Sequence, residues 1–295
     1  MASFLSRLAP VVIRLRGSKR MFSSAHRTLA RVDELQRSPA SFEPPRLTGV
    51  EVTRREAGGW PVYEVTPQDA APSRRVLYLH GGCYVFEITP THWNFIARLA
   101  VEASVRIVVP IMPLAPSGTA SVVVPAVADL AASMIDEVGA DQLSIVGDSA
   151  GGGMALAVAM TLRDRSLPPL RATVLISPWL DISGTDPMLA EIAPRDPWLA
   201  VPGTHAAGAL YRAELGEDDW RVSPIHGSLA GLGPLTMFSG SRDIVHADAL
   251  RLVPLAAAAG VPLDYHRGEG MLHVYPILPM PEGAAARKVI GAAIR

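Results

Sequence analysis

Cysteine, excess charge and metal-binding motifs are all scarce in this sequence. Its 295 residues include one cysteine, Cys83, which cannot form an internal disulfide. Because unpaired cysteine is typical of a reducing compartment, we expect a cytoplasmic protein. The 27 basic and 28 acidic residues nearly cancel. Proteins that bind nucleic acid usually carry a strong basic excess, so we expect no nucleic-acid partner.

The eight histidines show no metal-binding spacing such as H-E-x-x-H, and the chain contains no phosphate-binding loop motif. We therefore expect neither a metal nor a cofactor, and a small molecule as the partner. Hydrophobic residues make up 49% of the sequence. This content is enough to bury a sizeable core, and it excludes a disordered or fibrous protein.

The N-terminus is basic, in contrast to the rest of the chain. Residues 1–32 contain seven basic residues and no acidic one, and their longest apolar run is too short for a signal peptide or a membrane span. Apolar residues recur there at helical spacing: Phe4, Leu8, Val11 or Val12, and Leu15. We interpret this amphipathic helix as a cover for another part of the protein, since single amphipathic helices mostly pack intramolecularly. Weak contact with an anionic lipid surface and an organellar transit peptide are the alternatives.

Beyond residue 45, short apolar runs alternate with helical patterns. Two β-like stretches, 47–54 and 60–66, flank the turn signal Gly58-Gly59 and predict an antiparallel pair at one edge of a sheet. Further strands are predicted at Arg75–His80, Arg106–Pro110, Leu143–Gly147, Ala172–Pro178, Leu235–Gly240 and Leu263–Arg267. Helices are predicted at Thr91–Ala103, Pro125–Val138, Gly151–Arg165, Asp248–Gly260 and Glu282–Ile294. This alternation is typical of an α/β fold, with a mostly parallel twisted sheet and helices on both faces.

One long stretch interrupts the alternation. Residues 182–222 contain four prolines and show scattered helical signals near 206–215. A long insert in an α/β domain usually lies over the strand ends, where ligands bind. We therefore predict N-terminal cap helices at 1–45 and a cap insert at 182–222, over a core formed by 46–181 and 223–295.

The pentapeptide Gly147-Asp148-Ser149-Ala150-Gly151 matches the pattern G-x-S-x-G. Such a match is expected by chance about 0.1 times in a chain of this length, so its context decides its meaning. Here it follows a predicted strand and opens a predicted helix, which is the setting of a nucleophilic serine. A turn this tight would project Ser149 Oγ above the sheet. The alternative is a glycine-rich turn with a capping serine.

A serine nucleophile needs a base, which is itself oriented by an acid. His273 lies on the turn after a predicted strand, where a loop can bring it over Ser149. Two other late histidines fit less well, because His246 falls at the start of a helix and His266 inside a strand. A surface histidine is the alternative role for His273.

For the acid, two aspartates follow predicted strands directly. Asp243 follows the strand at 235–240, and Asp181 follows the strand at 172–178. We prefer Asp243, because its strand precedes, in sequence order, the strand that leads to His273. Asp148 adjoins the serine but is expected to point away and to form local hydrogen bonds.

Acyl transfer also requires N–H donors for the oxyanion of the tetrahedral intermediate. A predicted strand ends in His80-Gly81-Gly82-Cys83, whose backbone N–H groups meet little steric hindrance. Ala150, the residue after the serine, offers another N–H group.

These motifs together resemble the hormone-sensitive-lipase-like esterases of the α/β-hydrolase fold. The likeness covers roughly residues 47–295 and includes Leu114-Ala115-Pro116 and Ser177-Pro178-Trp179-Leu180-Asp181. The resemblance implies a helical cap built from the N-terminus and a later insert. It also implies a catalytic triad of Ser149, Asp243 and His273, and an oxyanion hole formed by the N–H groups of Gly82, Cys83 and Ala150.

Cys83 is the departure from the family pattern that touches this site. It stands where the family's His-Gly-Gly-Gly motif has its third glycine, which keeps the N–H group but adds a side chain that could narrow the pocket. Its position three residues after His80 also suggests a thiol nucleophile. A complete serine triad makes that role redundant.

We expect a serine carboxylester hydrolase that acts through an acyl-enzyme, and the resemblance implies short to medium acyl chains. Amide or carbamate hydrolysis by the same triad is the first alternative, and a non-catalytic binding protein on a hydrolase scaffold is the second. A homodimer is also compatible with the sequence. Side chains proposed for the substrate pocket, with ordinary packing as the alternative, are Tyr84, Trp198, Tyr211 and Met271.

Overall fold

Eight strands form one sheet in the computed structural model, which describes residues 3–15 and 17–295. Met1, Ala2 and Arg16, which belong to the predicted cap segment, lie outside the described residues. The strands are β1 (Val50–Ala57), β2 (Trp60–Pro67), β3 (Arg75–Leu79), β4 (Arg106–Pro110), β5 (Leu143–Asp148), β6 (Ala172–Ile176), β7 (Leu235–Gly240) and β8 (Leu263–Gly268). Their order across the sheet is β1-β2-β4-β3-β5-β6-β7-β8.

The strand directions follow the predicted pattern. β1 pairs antiparallel with β2, and β2 pairs antiparallel with β4. The remaining neighbours, from β4 and β3 through to β8, are parallel. The prediction of a mostly parallel sheet with an antiparallel pair at one edge is therefore confirmed. Because the carboxyl ends of parallel strands meet at one edge of the sheet, loops that follow β3, β5, β7 and β8 converge there.

Helices cover both faces of the sheet, as predicted. They are α1 (Phe4–Leu15), α2 (Ser18–Phe22), α3 (Ala25–Arg37), α4 (Pro90–Ala103), α5 (Ala120–Val138), α6 (Ala150–Asp164), α7 (Leu189–Ile192), α8 (Val201–Arg212), α9 (His246–Ala258) and α10 (Pro281–Ile294). Successive side chains of β3 point to opposite faces, so Leu77 and Leu79 join the core beneath α5, α6 and α9. Val76 and Tyr78 join the core beneath α4 and α10.

Two helices begin about five residues earlier than the sequence pattern indicates. The prediction started α5 at Pro125, whereas the helix begins at Ala120. Side chains in its first turns, such as the buried Val123, pack into the core, and this packing offsets the hydrogen bond that proline cannot donate. α8 likewise begins at Val201 rather than near residue 206.

The N-terminal helices pack on the insert. α2 and α3 contact α8, and the approach is closest at Gly203. A Cβ added at Gly203 would lie 2.5 Å from Phe22 Cα and 2.4 Å from Thr28 Oγ1. This contact supports our proposal that residues 1–45 and 182–222 form one cap over the core.

α1 is the predicted amphipathic helix, but the side opposite its apolar stripe faces inward. Its buried residues are Ser6 and Pro10, and Ser3 Oγ donates a hydrogen bond of 2.8 Å to Glu282 of α10. The apolar stripe is exposed, at Phe4, Leu5, Leu8, Val11, Val12 and Leu15. The interpretation that this stripe covers another part of the protein is therefore wrong.

Within residues 3–15 and 17–295, no helix is both long and apolar enough to pass through a bilayer.

The close contact at Gly203 allows a test of the cap. Gly203→Ala should lower the free energy of unfolding by about 1–3 kcal/mol, because a methyl group forced into a packed interface displaces its neighbours. Thermal unfolding would measure the loss, and limited proteolysis should cut faster within residues 17–45. Gly291→Ala is the matched control, since its Cβ would meet Ala103 Cβ at an ordinary 3.6 Å. Equal behaviour of the two variants would contradict the proposed cap.

Candidate active site

Ser149 lies on the tight turn between β5 and α6, in a backbone conformation that side-chain-bearing residues rarely adopt. Its φ is 54° and its ψ is −121°. Hydrogen bonds fix this conformation: Ser149 N donates to Ile176 O at 2.8 Å, and Trp179 N donates to Ser149 O at 3.0 Å. Both partners belong to β6 or to the loop that follows it. The neighbouring strand therefore holds the serine in place.

Glycine is required where helix α6 meets the sheet. A Cβ at Gly147 would lie 2.1 Å from Gly151 O, and a Cβ at Gly151 would lie 2.0 Å from Leu79 O. These separations are too short for any side chain. The two outer glycines of the pentapeptide thus allow α6 to start directly behind Ser149.

The structure brings Ser149, His273 and Asp243 together. His273 Nε2 lies 2.9 Å from Ser149 Oγ, and His273 Nδ1 lies 2.8 Å from Asp243 Oδ2. All three residues are buried, with exposed fractions of 5% or less. A proton on His273 Nδ1 would be held by the carboxylate, which leaves Nε2 to accept the proton of the serine hydroxyl.

The loop after β8 carries His273 into position. Val274 has a φ of 47° and donates its N–H to Ser177 Oγ at 3.0 Å. The indole of Trp198 contacts the imidazole edge-on, with ring centroids 5.9 Å apart and an interplanar angle of 84°. His273 is therefore fixed through its own backbone and through its ring.

The alternative bases and acid are engaged elsewhere. His246 Nδ1 lies 2.8 Å from Ser239 Oγ, and His266 Nε2 lies 2.8 Å from Asp264. Asp181 accepts a hydrogen bond of 2.6 Å from Arg251. Each of these groups has a local structural partner.

The electrostatics of the site favour a charged imidazole. Burial alone would lower the pKa of His273, but the adjacent Asp243 carboxylate outweighs burial and keeps this pKa above its ordinary value. Asp243 is fully buried and also accepts a hydrogen bond of 3.2 Å from Val245 N. An imidazolium at His273 is thus stabilised by this carboxylate.

The loop after β3 lies against the nucleophile turn and is held there by Asp148. Asp148 Oδ1 accepts hydrogen bonds from Tyr78 Oη at 2.6 Å and from Gly81 N at 3.1 Å, and its Oδ2 lies 3.3 Å from His92 Nε2. Burial raises the pKa of Asp148, but contact with His92 and the hydrogen bond from Tyr78 lower it by more. The pKa of Asp148 therefore lies below its ordinary value. Asp148 forms hydrogen bonds with the surrounding loop and strand, as predicted from its position, and it also lines the cavity that contains Ser149.

The predicted oxyanion donors lie at this junction. Gly82 and Cys83 both line the cavity that contains Ser149, with φ values of 127° and 54°. Ala150 is the first residue of α6. In the part of the chain that the structure describes, the N–H groups of these three residues donate to no other protein group. They are free to bind an oxyanion.

Cys83 is a poor candidate for a nucleophile. Its side chain is 4% exposed, and burial raises the pKa of its thiol to about 12. Because only the thiolate attacks, a thiol with this pKa is inert at neutral pH.

A cavity of about 450 Å³ opens above Ser149 and His273. This volume lies within the usual range for sites that bind small molecules. Its walls come from the core and from both predicted cap segments, and they are mainly apolar: Ile13, Met21, Phe22, Phe86, Trp198, Leu199, Ile277 and Leu278. Glu87, Thr89 and His92 contribute its polar part.

Of the four side chains proposed for the substrate pocket, Trp198 lines this cavity. The other three lie outside its wall. Tyr84 stacks on Tyr211 with ring centroids 3.6 Å apart, and both rings are buried in the core. Met271 is also buried, next to Gly240 and Gly268. The expectation that these three form the pocket is wrong, because side-chain packing turns them inward.

Sequence reasoning missed most of the cavity wall, including His92 and Phe22, since neither lies in a recognisable motif. It also missed Asp196, a fully buried carboxylate next to Asp243. The only available signal was an Asp-Pro pair inside the predicted insert. No group of three or more side chains within residues 3–15 and 17–295 is arranged to hold a metal ion.

Comparisons with known proteins agree with this geometry. Residues 76–277 match a family model described as the alpha/beta hydrolase fold. LipR of Mycobacterium tuberculosis, which carries a provisional acetyl-hydrolase name, is 33% identical over 95% of this chain and 92% of its own length. The acetyl-hydrolase of Streptomyces hygroscopicus is 33% identical over 75% of each chain.

Solved structures are similar over nearly the whole chain. An esterase of the bacterial hormone-sensitive lipase family is 26% identical, with a TM-score of 0.78 over 92% of this chain and 98% of that one. EstE5 soaked with p-nitrophenyl butyrate is 24% identical, with a TM-score of 0.88 over 100% of this chain and 98% of that one, which shows a shared fold. This chain belongs to the α/β-hydrolase fold family, among the hormone-sensitive-lipase-like esterases.

Proposed function

We propose that Ser149, His273 and Asp243 hydrolyse carboxylic esters through an acyl-enzyme. One observation carries this proposal, namely the unbroken line of contacts from Ser149 Oγ through both ring nitrogens of His273 to Asp243. Esterase and acetyl-hydrolase are also the names of relatives and structural neighbours. The chain is thus a serine carboxylester hydrolase, and the geometry supports the roles that we propose for its individual residues.

The reaction begins when His273 Nε2 takes the proton of Ser149 Oγ as the oxygen attacks the ester carbonyl. The N–H groups of Gly82, Cys83 and Ala150 bind the oxyanion that forms on the carbonyl oxygen. The imidazolium then gives its proton to the departing alcohol. The acyl group remains bound to Ser149 Oγ. Water activated by His273 attacks this acyl group and releases the acid.

Ser149→Ala tests the nucleophile. It should reduce kcat/KM for a short nitrophenyl ester by at least about a thousandfold, because no other group forms the acyl-enzyme. Ser133→Ala, an exposed serine on α5, is the matched control and should keep the wild-type rate. Wild-type protein should also bind one equivalent of a fluorophosphonate probe, and Ser149→Ala should bind none. An unlabelled wild-type protein would favour the binding-protein alternative.

Amide and carbamate hydrolysis would use the same three side chains. Matched ester and amide substrates with one acyl group separate these activities. We expect the ester to be preferred, and a faster reaction with the amide would overturn that choice.

Short to medium acyl chains fit the site best. The cavity of about 450 Å³ is closed by bulky side chains such as Phe22 and Trp198, and two relatives are named acetyl-hydrolases. In a series of nitrophenyl esters, kcat/KM should be highest between acetyl and octanoyl and should fall by roughly tenfold or more for hexadecanoyl, whose distal carbons gain no contact. Trp198→Ala should lessen this fall by enlarging the cavity. A rate that rises steadily with chain length would contradict the assignment.

We also propose that α1 docks on anionic lipid surfaces. Its exposed apolar stripe is flanked by Arg7 and Arg14, which are also exposed, and complementary charge favours negatively charged headgroups. Ile13 of the same helix lines the catalytic cavity. Docking through α1 would therefore hold the cavity next to the lipid, where ester substrates are concentrated.

Flotation with vesicles tests this docking. The protein should float with vesicles of anionic phosphatidylglycerol but not with neutral phosphatidylcholine, and salt should weaken binding. Leu8→Gln with Val12→Gln should abolish flotation, whereas Leu255→Gln, an exposed leucine on α9, should not. Light scattering gives the other outcome: a dimer that the Leu8 and Val12 changes dissociate would show that the stripe binds a second copy instead. The homodimer and the cytoplasmic location stay predictions.

A further inference from the structure

Asp196 is a fully buried carboxylate in the insert between β6 and β7. It accepts three backbone hydrogen bonds. Its Oδ1 receives the N–H groups of Trp198 at 2.7 Å and Leu199 at 2.9 Å, and its Oδ2 receives that of Ile244 at 2.9 Å. Three N–H donors favour the ionised form of a carboxylate and partly offset the cost of its burial. A buried charge of this kind needs a reason to be there.

The three donors connect the insert to the catalytic loop. Ile244 directly follows Asp243, so Asp196 holds the turn that carries the catalytic acid. Trp198 contacts the His273 ring edge-on. Asp196 therefore supports both neighbours of the imidazole.

Asp196 also contributes charge to this site. Burial and the nearby negative charge of Asp243 raise the pKa of Asp196 to about 6. The same two carboxylates, Asp243 more strongly than Asp196, favour the protonated form of His273. A second negative charge thus acts on the imidazolium, although it forms no hydrogen bond with it.

We propose that Asp196 is a positioning residue for the esterase reaction. From its place in the insert, Asp196 holds the Asp243 turn and the backbone of Trp198, and its negative charge stabilises the His273 imidazolium. This proposal rests on the proposed function, since it assigns an effect on His273 as the catalytic base. Through Asp196, the insert affects the basicity of His273 in addition to shaping the cavity.

Other titratable groups surround this cluster and are unchanged by the test. Lys19 of α2 donates to the main-chain carbonyl of Asp196 at 2.5 Å, and not to its carboxylate. The charge of Asp148 also acts on His273, and His246 lies within reach of the charge of Asp243. Around His246, further charges come from Arg195, Arg267 and Glu269. The pH at which activity falls on the acidic side of the profile therefore reflects the titration of the whole cluster. The test measures how far this pH moves when one charge is removed.

The chain contains a matched control in the same insert. Asp186-Pro187-Met188 repeats the sequence pattern of Asp196-Pro197-Trp198. Asp186 Oδ1 accepts the Met188 N–H at 2.8 Å, as Asp196 Oδ1 accepts that of Trp198. Asp186 pairs with Arg251, at 3.8 Å, instead of facing the catalytic loop. Asp186→Asn therefore removes an equivalent charge and leaves His273 untouched.

The experiment compares pH profiles of kcat/KM for a short nitrophenyl ester, with rates divided by the sites that a fluorophosphonate titrates. Asp196→Asn keeps a hydrogen-bond acceptor but removes the charge, so the pKa of His273 should fall. Because the reaction needs neutral His273, the acidic limb should move to lower pH by roughly half a unit. The plateau of kcat/KM should fall about threefold, the factor that corresponds to half a pKa unit. Asp186→Asn should change neither value, and Asp196→Glu, which keeps the charge, should keep the limb near its wild-type position.

Several results would overturn the proposal. An acidic limb that stays in place in Asp196→Asn, with or without a lower rate, would show that the charge does not act on His273. Asp196→Ser is a second neutral variant for the case in which the asparagine variant does not fold. If neither gives titratable sites, Asp196 serves folding alone, and the proposal is again wrong. A fully active Ser149→Ala would instead reject the proposed function, which keeps the two failures distinct.

Discussion

The catalytic site depends on a single backbone conformation, the left-handed turn at Ser149. Such a conformation costs on the order of 1–3 kcal/mol and persists only where its surroundings fix it. Here β6 supplies a carbonyl for the Ser149 N–H, and glycines at 147 and 151 let α6 approach the sheet. Without this turn, Oγ would not stand above the strand ends. The oxyanion loop and the His273 loop are useful only because the nucleophile is presented between them.

Much of this arrangement could be predicted from the sequence, because it is a matter of strand order. Parallel strands place their carboxyl ends at one edge, so the residues that follow β5, β7 and β8 must meet there. The choice of Asp243 over Asp181 needed no knowledge of side-chain packing. The cavity wall was different. Tyr84 and Tyr211 have the right chemistry for a pocket, yet they stack on one another in the core, and no local pattern distinguishes the two positions.

α1 shows a second limit of sequence patterns. Helical periodicity revealed its apolar stripe, but periodicity indicates only that a stripe exists and not what it contacts. The stripe is exposed because the opposite side, with Ser6 and Pro10, lies against the protein and Ser3 is bonded to Glu282. An exposed stripe beside basic side chains gains free energy only from a partner outside the chain. Ile13 of the same helix lines the cavity above Ser149, which is consistent with the proposed docking on lipid.

The insert is often the variable part of an α/β enzyme, a cover that shapes the pocket while the core performs the chemistry. Asp196 weakens that separation here. Its carboxylate bonds to the residue after the catalytic acid and to the backbone of Trp198, whose ring contacts His273. Moving the insert would break hydrogen bonds to a buried charge, which is costly unless water replaces them. The position of the insert and the geometry around His273 are therefore coupled through these contacts.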